Sequence, residues 1–404
     1  MNPEMSTTRD CVKPEVIRAL NELCSRIMVG IASAATQAYR PSGIPMIRNT
    51  NIKEGRIETD DVIYLDPSYE YQHRNKRLKS GDVVVVRTGY PGTAAVVPIA
   101  LDNAQCFTSL IIRPNRDLLD SEYLCTFINS NAGQRQFSAG AAGGAQKNVN
   151  AATLSRMTIP LPSIVTQRNV VAVARSLDRR LECTRLLIEA KRVFKRGLMQ
   201  QLLSGQNRLP EFRARPWEMQ RFDSLCEELS DRNGKQYGAE DVMGVIKGVG
   251  LIAMRDRVRG KGDLSRYKIV PPDAFAYNPM RLNIGSIAHN RLGRPILVSP
   301  DYEVFRCRRG AAIPGYVNQL RYSSYWNGFM KRAGAGSVRV RIYFSDLARL
   351  RVPALQVDEQ SSIDRALRLV DSEINLLAAL REQTELYKRS VLSGLLAGDL
   401  RVRA

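Results

Sequence analysis

Apolar side chains recur at helical spacing in two long stretches of the chain. In the first they fall at Val170, Ala174, Leu177, Leu181, Leu187, Phe194, Leu198 and Leu202; in the second, at Ile363, Leu367, Val370, Ile374, Leu380, Tyr387, Val391 and Leu395. Spacing of threes and fours puts each set on one stripe of a helix. The two stretches align without a gap at a constant offset of 193 residues: Pro160 on Pro353, Gln167 on Gln360, Asp178 on Asp371, Lys195 on Lys388, Gly205 on Gly398. Proline precedes each stripe and glycine closes it, which suits helix starts and stops. Each copy therefore predicts one helix of about 55–60 Å at 1.5 Å per residue. A stripe of that length must be buried. Its most economical partner is the other copy, in an antiparallel coiled coil; the competing reading lays each helix against its own domain.

The segments before the two helices carry a different pattern. GIPMIRN, DVIYL, GDVVVVRT, TAAVVPIAL and AQCFTSLIIRP are short β-rich runs bounded by turn residues. Val16 to Cys24 reads as an amphipathic helix, Ser121 to Asn131 as a short helix, and residues 138–150 as a small, polar loop. Later in the chain RYKIV, RPILVSPDYEVFRC and SVRVRIYF read as strands, with a turn at AYNPMRLNIG. Leu20 to Cys24 finds a counterpart in Phe222 to Cys226. The approaches to the helices also match, residues 146–160 lying opposite 339–353. The layout is a variable domain, a long helix, a second variable domain and a second helix, an α+β chain with a pseudo-two-fold internal repeat.

Charge adds a partner class. Among 404 residues, 60 Lys and Arg stand against 40 Asp and Glu, a formal charge of +20. Such an excess points to a polyanion, with nucleic acid first. Two similar modules on an antiparallel helix pair suit an elongated ligand of approximate two-fold symmetry, which a DNA duplex is. Seven scattered cysteines without a CxxC pair argue against a disulfide framework or zinc knuckle and for buried thiols in a reducing cytosol. No apolar run nears the roughly 20 residues that span a membrane, and the polar start is not that of a signal peptide.

Three groups of residues resemble the DNA-specificity subunit of type I restriction-modification enzymes. They are IPLPSIVTQRNVVAVARSLDRRLE with LMQQLLSG and its repeat VPALQVDEQ with LLAGDL; SGIPMIRNTNIKEGRI, LKSGDVVVVRTGYPGTAAVVP and GGAQKNVNAATLSRMTIPLP; and YKIVPPDAFAYNPMRLNIGSI with LVSPDYEVFR. The resemblance implies a first target-recognition domain (1–160), a central spacer helix (161–208), a second target-recognition domain (209–352) and a C-terminal spacer helix (353–404). It implies that each domain reads one half of a split double-stranded DNA site. It also implies that the helices hold two methylation subunits, which restriction subunits join, in the cytoplasm and with no membrane partner. The chain itself then holds no cofactor: S-adenosylmethionine sits on the methylation partner, ATP and Mg on the restriction partner. Two departures stand out. GSIAHN lacks a second glycine found in many members, and QVDEQSSIDR opens the second helix with more acidic character than SIVTQRNVVA.

Base edges are read by arginine on guanine and by asparagine or glutamine on adenine. Candidate readers in the first domain are Arg48, Asn49 and Lys53; Arg87, Thr88 and Tyr90; and Gln146, Lys147 and Asn148. In the second they are Asn278, Arg281 and Asn283; His289, Asn290 and Arg291; and Arg339 with Arg341, which would share a strand face. The plain alternative is a solvated charge at any one of them, a turn former at Asn278 and loop packing at Tyr90. Nothing in the sequence carries a catalytic arrangement: the two histidines (His73, His289) lack partners at a recognisable spacing, and GAAGGA lacks a phosphate-loop ending. The competing classes are a self-contained DNA-modifying or DNA-cleaving enzyme, which would need its own acidic or cofactor site, and a structural coiled-coil adaptor, which would not discriminate among DNA sequences.

Overall fold

The computed structural model describes residues 16–33, 35–89, 91–140, 149–254, 263–334 and 341–400. The chain forms two compact units, residues 1–185 with 379–404 and residues 186–378. Each long helix passes from one unit into the other.

In the first unit, β1 (Ile17–Ala19) leads through a single helical turn at Leu20–Leu23 into β2 (Cys24–Val29). The predicted helix from Val16 to Cys24 thus shrinks to one turn. Ile17–Ala19 is drawn into antiparallel pairing with Thr158–Pro160, while Leu20 and Leu23 plug the core. Strands β3 (Val83–Val85), β4 (Ala94–Val96) and β5 (Leu110–Pro114) complete an antiparallel sheet in the order β2-β5-β3-β4. Val83 and Val85 face one core and Val84 and Val86 another, which explains an unbroken valine run in place of alternation. A second small sheet joins Gln105–Cys106, Ile44–Ile47, Ile63–Leu65 and Tyr39–Arg40.

Helices α1 (Ser121–Asn129) and α2 (Asn131–Gly140) follow, so Ser138–Gly140 extend a helix where a loop was expected; residues 141–148 lie outside the described residues. Asp120 caps α1 by accepting from the Glu122 and Tyr123 amides. The segment ends with β6 (Thr158–Pro160) and the 41-residue α3 (Ile164–Ser204).

The second unit repeats this plan. β7 (Met219–Arg221), a turn of helix at Phe222–Leu225 and β8 (Cys226–Leu229) precede β9 (Phe275–Tyr277), β10 (Ile287–His289) and β11 (Glu303–Cys307). The sheet order is β8-β11-β9-β10, the same as in the first unit. Then come α4 (Pro314–Leu320), α5 (Ser324–Gly334), β12 (Arg351–Pro353) and α6 (Val357–Ala397), again 41 residues. The strand expected in SVRVRIYF is absent from its described part. Arg341–Tyr343 belong to no strand and Phe344–Leu347 are helical. There Asp346 accepts from the Tyr343 amide, and Phe344 and Leu347 are buried, a spacing that fits a helical turn.

The 193-residue repeat persists down to single hydrogen bonds. Gln167 is fully buried; its Oε1 accepts from the Asp120 amide at 2.8 Å and its Nε2 donates to the Leu118 and Pro162 carbonyls. Gln360 does the same with the Ile313 amide and the Ala311 and Leu355 carbonyls. The Tyr123 hydroxyl donates to the Pro160 carbonyl, and Tyr316 to Pro353. Each long helix is thereby pinned to the domain that precedes it.

The helices run antiparallel. In the first unit Val170 and Ala174 share a core with Leu392 and Leu395, and Lys388 donates to Asp178 at 2.6 Å. In the second, Leu202 shares a core with Ile363 and Leu367, while Lys195 donates to Asp371 at 2.7 Å and Lys191 to Glu373 at 2.6 Å. The Asp178–Lys388 and Asp371–Lys195 pairs are repeat-related, one in each unit. Burial alone would lower the Lys388 pKa. The hydrogen bond to Asp178 and the charges of Asp178 and Glu54 outweigh it and hold the group above its ordinary value.

The middle of the seam departs from the apolar stripe. Leu187, Phe194, Leu380 and Tyr387 are 46%, 56%, 37% and 60% exposed. Covered positions instead run Val170, Ala174, Leu177, Leu181, Thr184, Ile188, Lys191, Lys195, Leu198 and Leu202, a strict heptad alternation of fours and threes. Ile363, Leu367, Val370, Ile374, Leu377, Thr384, Lys388, Val391 and Leu395 are their counterparts in α6. Threonine and the lysine stems fill the centre of the seam, so hydrophobicity alone misplaces it.

Cys24, Cys106, Cys125, Cys183, Cys226 and Cys307 are free thiols, and burial pushes Cys24, Cys106 and Cys125 up to about 12. Among the described residues no helix is long and apolar enough to cross a membrane.

Two measurements test this packing in urea unfolding. Gln360→Ala strands one buried amide and two carbonyls and is expected to cost about 2–4 kcal/mol. Ile188→Ala is expected to cost about 2 kcal/mol, and Phe194→Ala to stay within about 0.5 kcal/mol. Equal losses at Ile188 and Phe194 would contradict the seam described.

Candidate nucleic-acid interface

In the first unit two candidate loops are joined by side chains. The loop from Arg87 to Gly92 is closed at its base, where the Val86 amide donates to Thr93 O and the Gly92 amide to Val86 O. Gln134 of α2 donates to Gly92 O. A Cβ at Gly92, where φ is +93°, would meet Gln134 and Phe137 at 2.9 Å, so this turn requires glycine. Asn49 Nδ2 donates to Thr88 Oγ1 at 2.9 Å, and Asn49 Oδ1 accepts from Ser109 Oγ at 2.7 Å. Thr108, a non-glycine residue at φ +57°, stands 3.5 Å from the same Nδ2. Neither Thr108 nor Ser109 had any distinguishing mark in the sequence.

The charged candidates divide. Arg48 Nη2 donates to the Asp61 carbonyl and carboxylate at 2.8 and 2.7 Å, and its amide donates to Asn51. Its guanidinium is thereby committed to the fold. Lys53 pairs with Glu58 at 3.7 Å. Arg87 differs. It is half-buried, its Nε is shielded without a hydrogen-bond partner, and no ion pair reaches it among the described residues. Thr88 is exposed beside it. Tyr90, Gln146, Lys147 and Asn148 lie outside the described residues.

The second unit presents the equivalent place. Asn278 Oδ1 accepts from the Met280 amide and the Asn278 carbonyl accepts from the Arg281 amide, so Asn278 shapes a turn. That turn leaves Arg281 and Asn283 exposed. The Ile342 amide donates to Pro279 O at 3.0 Å, setting Arg341 beside the turn; in the first unit the Val149 amide donates to Arg87 O at 3.4 Å. Val149 and Ile342 are again 193 apart. The match between the two approach segments therefore reaches the candidate loops, although Arg341 lies in no strand. Arg339 lies outside the described residues.

His289 and Asn290 have structural duties. Asn290 is buried; its amide donates to the Val270, Pro271 and Arg294 carbonyls and its oxygen accepts from Leu292 N. With every polar atom used, it holds its own loop and has nothing left for a base edge. His289 stacks on Phe275 at 4.8 Å, and its Nδ1 accepts from Arg291 Nε at 3.0 Å. Its Nε2 lies 3.3 Å from Asp273 Oδ1 without the alignment of a hydrogen bond. Burial, then the charge of Arg291, lower the imidazole to about 4 against the opposing pull of Asp273. Arg291 remains exposed. Among the described residues no group of three or more His, Cys, Asp or Glu is placed to hold a metal ion.

The family model for the type I restriction modification DNA specificity domain matches residues 16–191. Over these residues the chain is similar to that family. The second unit repeats its sheet order, its glutamine pin and its long helix. A putative type I restriction enzyme MjaX specificity subunit from Methanocaldococcus jannaschii is 21% identical over 96% of this chain and 94% of its own length. The fold is that of solved specificity subunits. The HsdS subunit of Thermoanaerobacter tengcongensis superposes with a TM-score of 0.55 at 19% identity, covering 96% of this chain and 97% of that one. The type I S subunit of M. genitalium gives 0.53 at 14% identity, covering 98% and 99%.

The buried imidazole of the second unit makes a pH prediction. Its folded pKa of about 4 lies below the unfolded value of about 6.5, so the unfolded chain binds the extra proton between them. Stability is therefore full above pH 6.5 and falls as pH drops toward 4, with a slope of at most about 1.4 kcal/mol per pH unit from this group. His289→Phe is expected to flatten that slope in denaturant titrations across the window; an unchanged slope would remove His289 as its source.

Proposed function

We propose that the chain is a non-catalytic DNA-recognition subunit that reads a bipartite site and directs adenine methylation and restriction by partner subunits. Residues 1–160 and 209–352 each read one half. The observation that carries this reading is the duplicated interface: one scaffold, built twice at a 193-residue offset, presents different side chains at equivalent loops, Arg87 and Thr88 in one and Arg281 and Asn283 in the other. A shared scaffold with unlike readers suits an asymmetric target. The charge of +20 supplies the sequence-independent attraction to phosphates.

The exposed face of the helix pair supports the reading of the partners. Leu187, Val193 and Phe194 form an exposed apolar patch on α3, and Leu380, Leu386 and Tyr387 recur at the repeat-related places on α6. Exposed apolar side chains grouped on one helix face suit a docking surface. Two related patches suit two copies of one methylation subunit, which carries S-adenosylmethionine; restriction subunits, with ATP and Mg, join that core in the cytoplasm.

The first test maps methylated bases by long-read sequencing of DNA from cells expressing this chain with its cognate methylation subunit, against cells lacking the chain. A bipartite adenine-methylated motif that depends on the chain is expected. Exchange of residues 1–160 for those of another specificity subunit is expected to change one half of the motif only; change in both halves would defeat the modular reading. The second test is native mass spectrometry of Phe194→Asp and Tyr387→Asp, each expected to lower the methylation-subunit stoichiometry from two to one. Retention of two copies by both variants would exclude these patches as the docking surface.

A further inference from the structure

Arg48 and Arg87 are both candidate readers in the first module, and their surroundings separate them. Each has a shielded Nε without a hydrogen-bond partner. For Arg48 the loss is offset at the other end of the guanidinium, where Asp61 accepts twice. Arg87 has no such partner among the described residues, yet its stem is half-buried and its loop is fixed on three sides. Val86 and Thr93 close the base, Gln134 holds Gly92, and Asn49 ties the neighbouring Thr88 to Ser109. Burying part of a guanidinium without a partner is unfavourable unless an acceptor arrives from outside.

Resting on the recognition function above, we propose that Arg87 is the guanine reader of the first half-site and that Asn49 positions it. A buried Nε leaves the two terminal nitrogens as a fork of fixed direction. Guanine O6 and N7 in the major groove are a pair of acceptors that match such a fork. A phosphate contact needs only a cation, which an exposed, flexible lysine supplies as well. Asn49 has both ends of its amide engaged by Thr88 and Ser109, so it sets the loop and does not face a base. The second module has Pro279 at the place whose carbonyl receives the approach segment, where the first has Arg87. The two half-sites are therefore read from different loop positions.

The experiment uses the complete chain in complex with its methylation subunits and a duplex carrying the mapped site. Each guanine of the first half-site is replaced in turn by 7-deazaguanine, which lacks N7. With the native chain one replacement is expected to weaken binding about tenfold; with Arg87→Lys the same replacement is expected to have no further effect, because the fork is already gone. Methylated-base mapping of Arg87→Lys is expected to show relaxed preference, about ten- to hundredfold, at that one base pair. The second half-site stays intact and serves as the folding control. Asn49→Ala is expected to relax the same base pair more weakly. A first half-site unchanged in Arg87→Lys, or uniformly weaker methylation with the motif preserved, would overturn the assignment in favour of a structural or phosphate role. Those outcomes leave a bipartite motif in place, so they differ from failure of the recognition function itself, in which the native chain yields no motif.

Discussion

Everything else in this protein depends on how each 41-residue helix is fastened to the domain before it. Gln167 and Gln360 do this with one side chain each, satisfying a backbone amide and two carbonyls that burial would otherwise leave unpaired. A tyrosine on the neighbouring short helix adds a bond to the proline carbonyl ahead of the long one. Groups this costly to strand make the junction stiff. A loop on the domain therefore inherits its direction from the helix, and the helix seam inherits its register from the domain.

The duplication is strict where stiffness matters and loose elsewhere. Sheet order, pin, tyrosine bond, terminal glycine and the Asp–Lys bridges recur in both halves. The polar interior does not: Lys268 and Glu303 form a buried ion pair at 3.3 Å in the second unit, where Leu110 occupies the repeat position of Glu303. Nor do the interface residues recur. Asn49, Thr88 and Ser109 brace a loop in the first unit, whereas an asparagine–proline turn does so in the second. One frame thus carries two chemically distinct surfaces.

The candidate interface was only partly legible. Arginine and asparagine in turn-rich segments pointed to candidate loops, but residue type cannot say which polar atoms are already used. Arg48 is spent on Asp61, thirteen residues away, and Asn290 on the carbonyls of Val270, Pro271 and Arg294. His289, a candidate reader, is packed on Phe275. In each case the deciding partner is a backbone carbonyl or a side chain brought close by folding. Thr108 and Ser109 were invisible for the same reason.

The sequence by itself determined the repeat, its 193-residue offset, the two long helices, the β-rich domains before them and the cationic character, because periodicity and composition are properties of neighbouring residues. Tertiary structure decided the rest. It drew Ile17–Ala19 out of an expected helix by pairing them with Thr158–Pro160, because a strand partner 141 residues away satisfies backbone groups that a short helix would leave free. It placed Thr184, Lys191 and Lys195 in the helix seam and left Phe194 and Tyr387 outside, because the heptad register is fixed by the pinned ends. It also left Arg87 half-buried without a described partner, an arrangement set by three segments distant in sequence and close only in the fold.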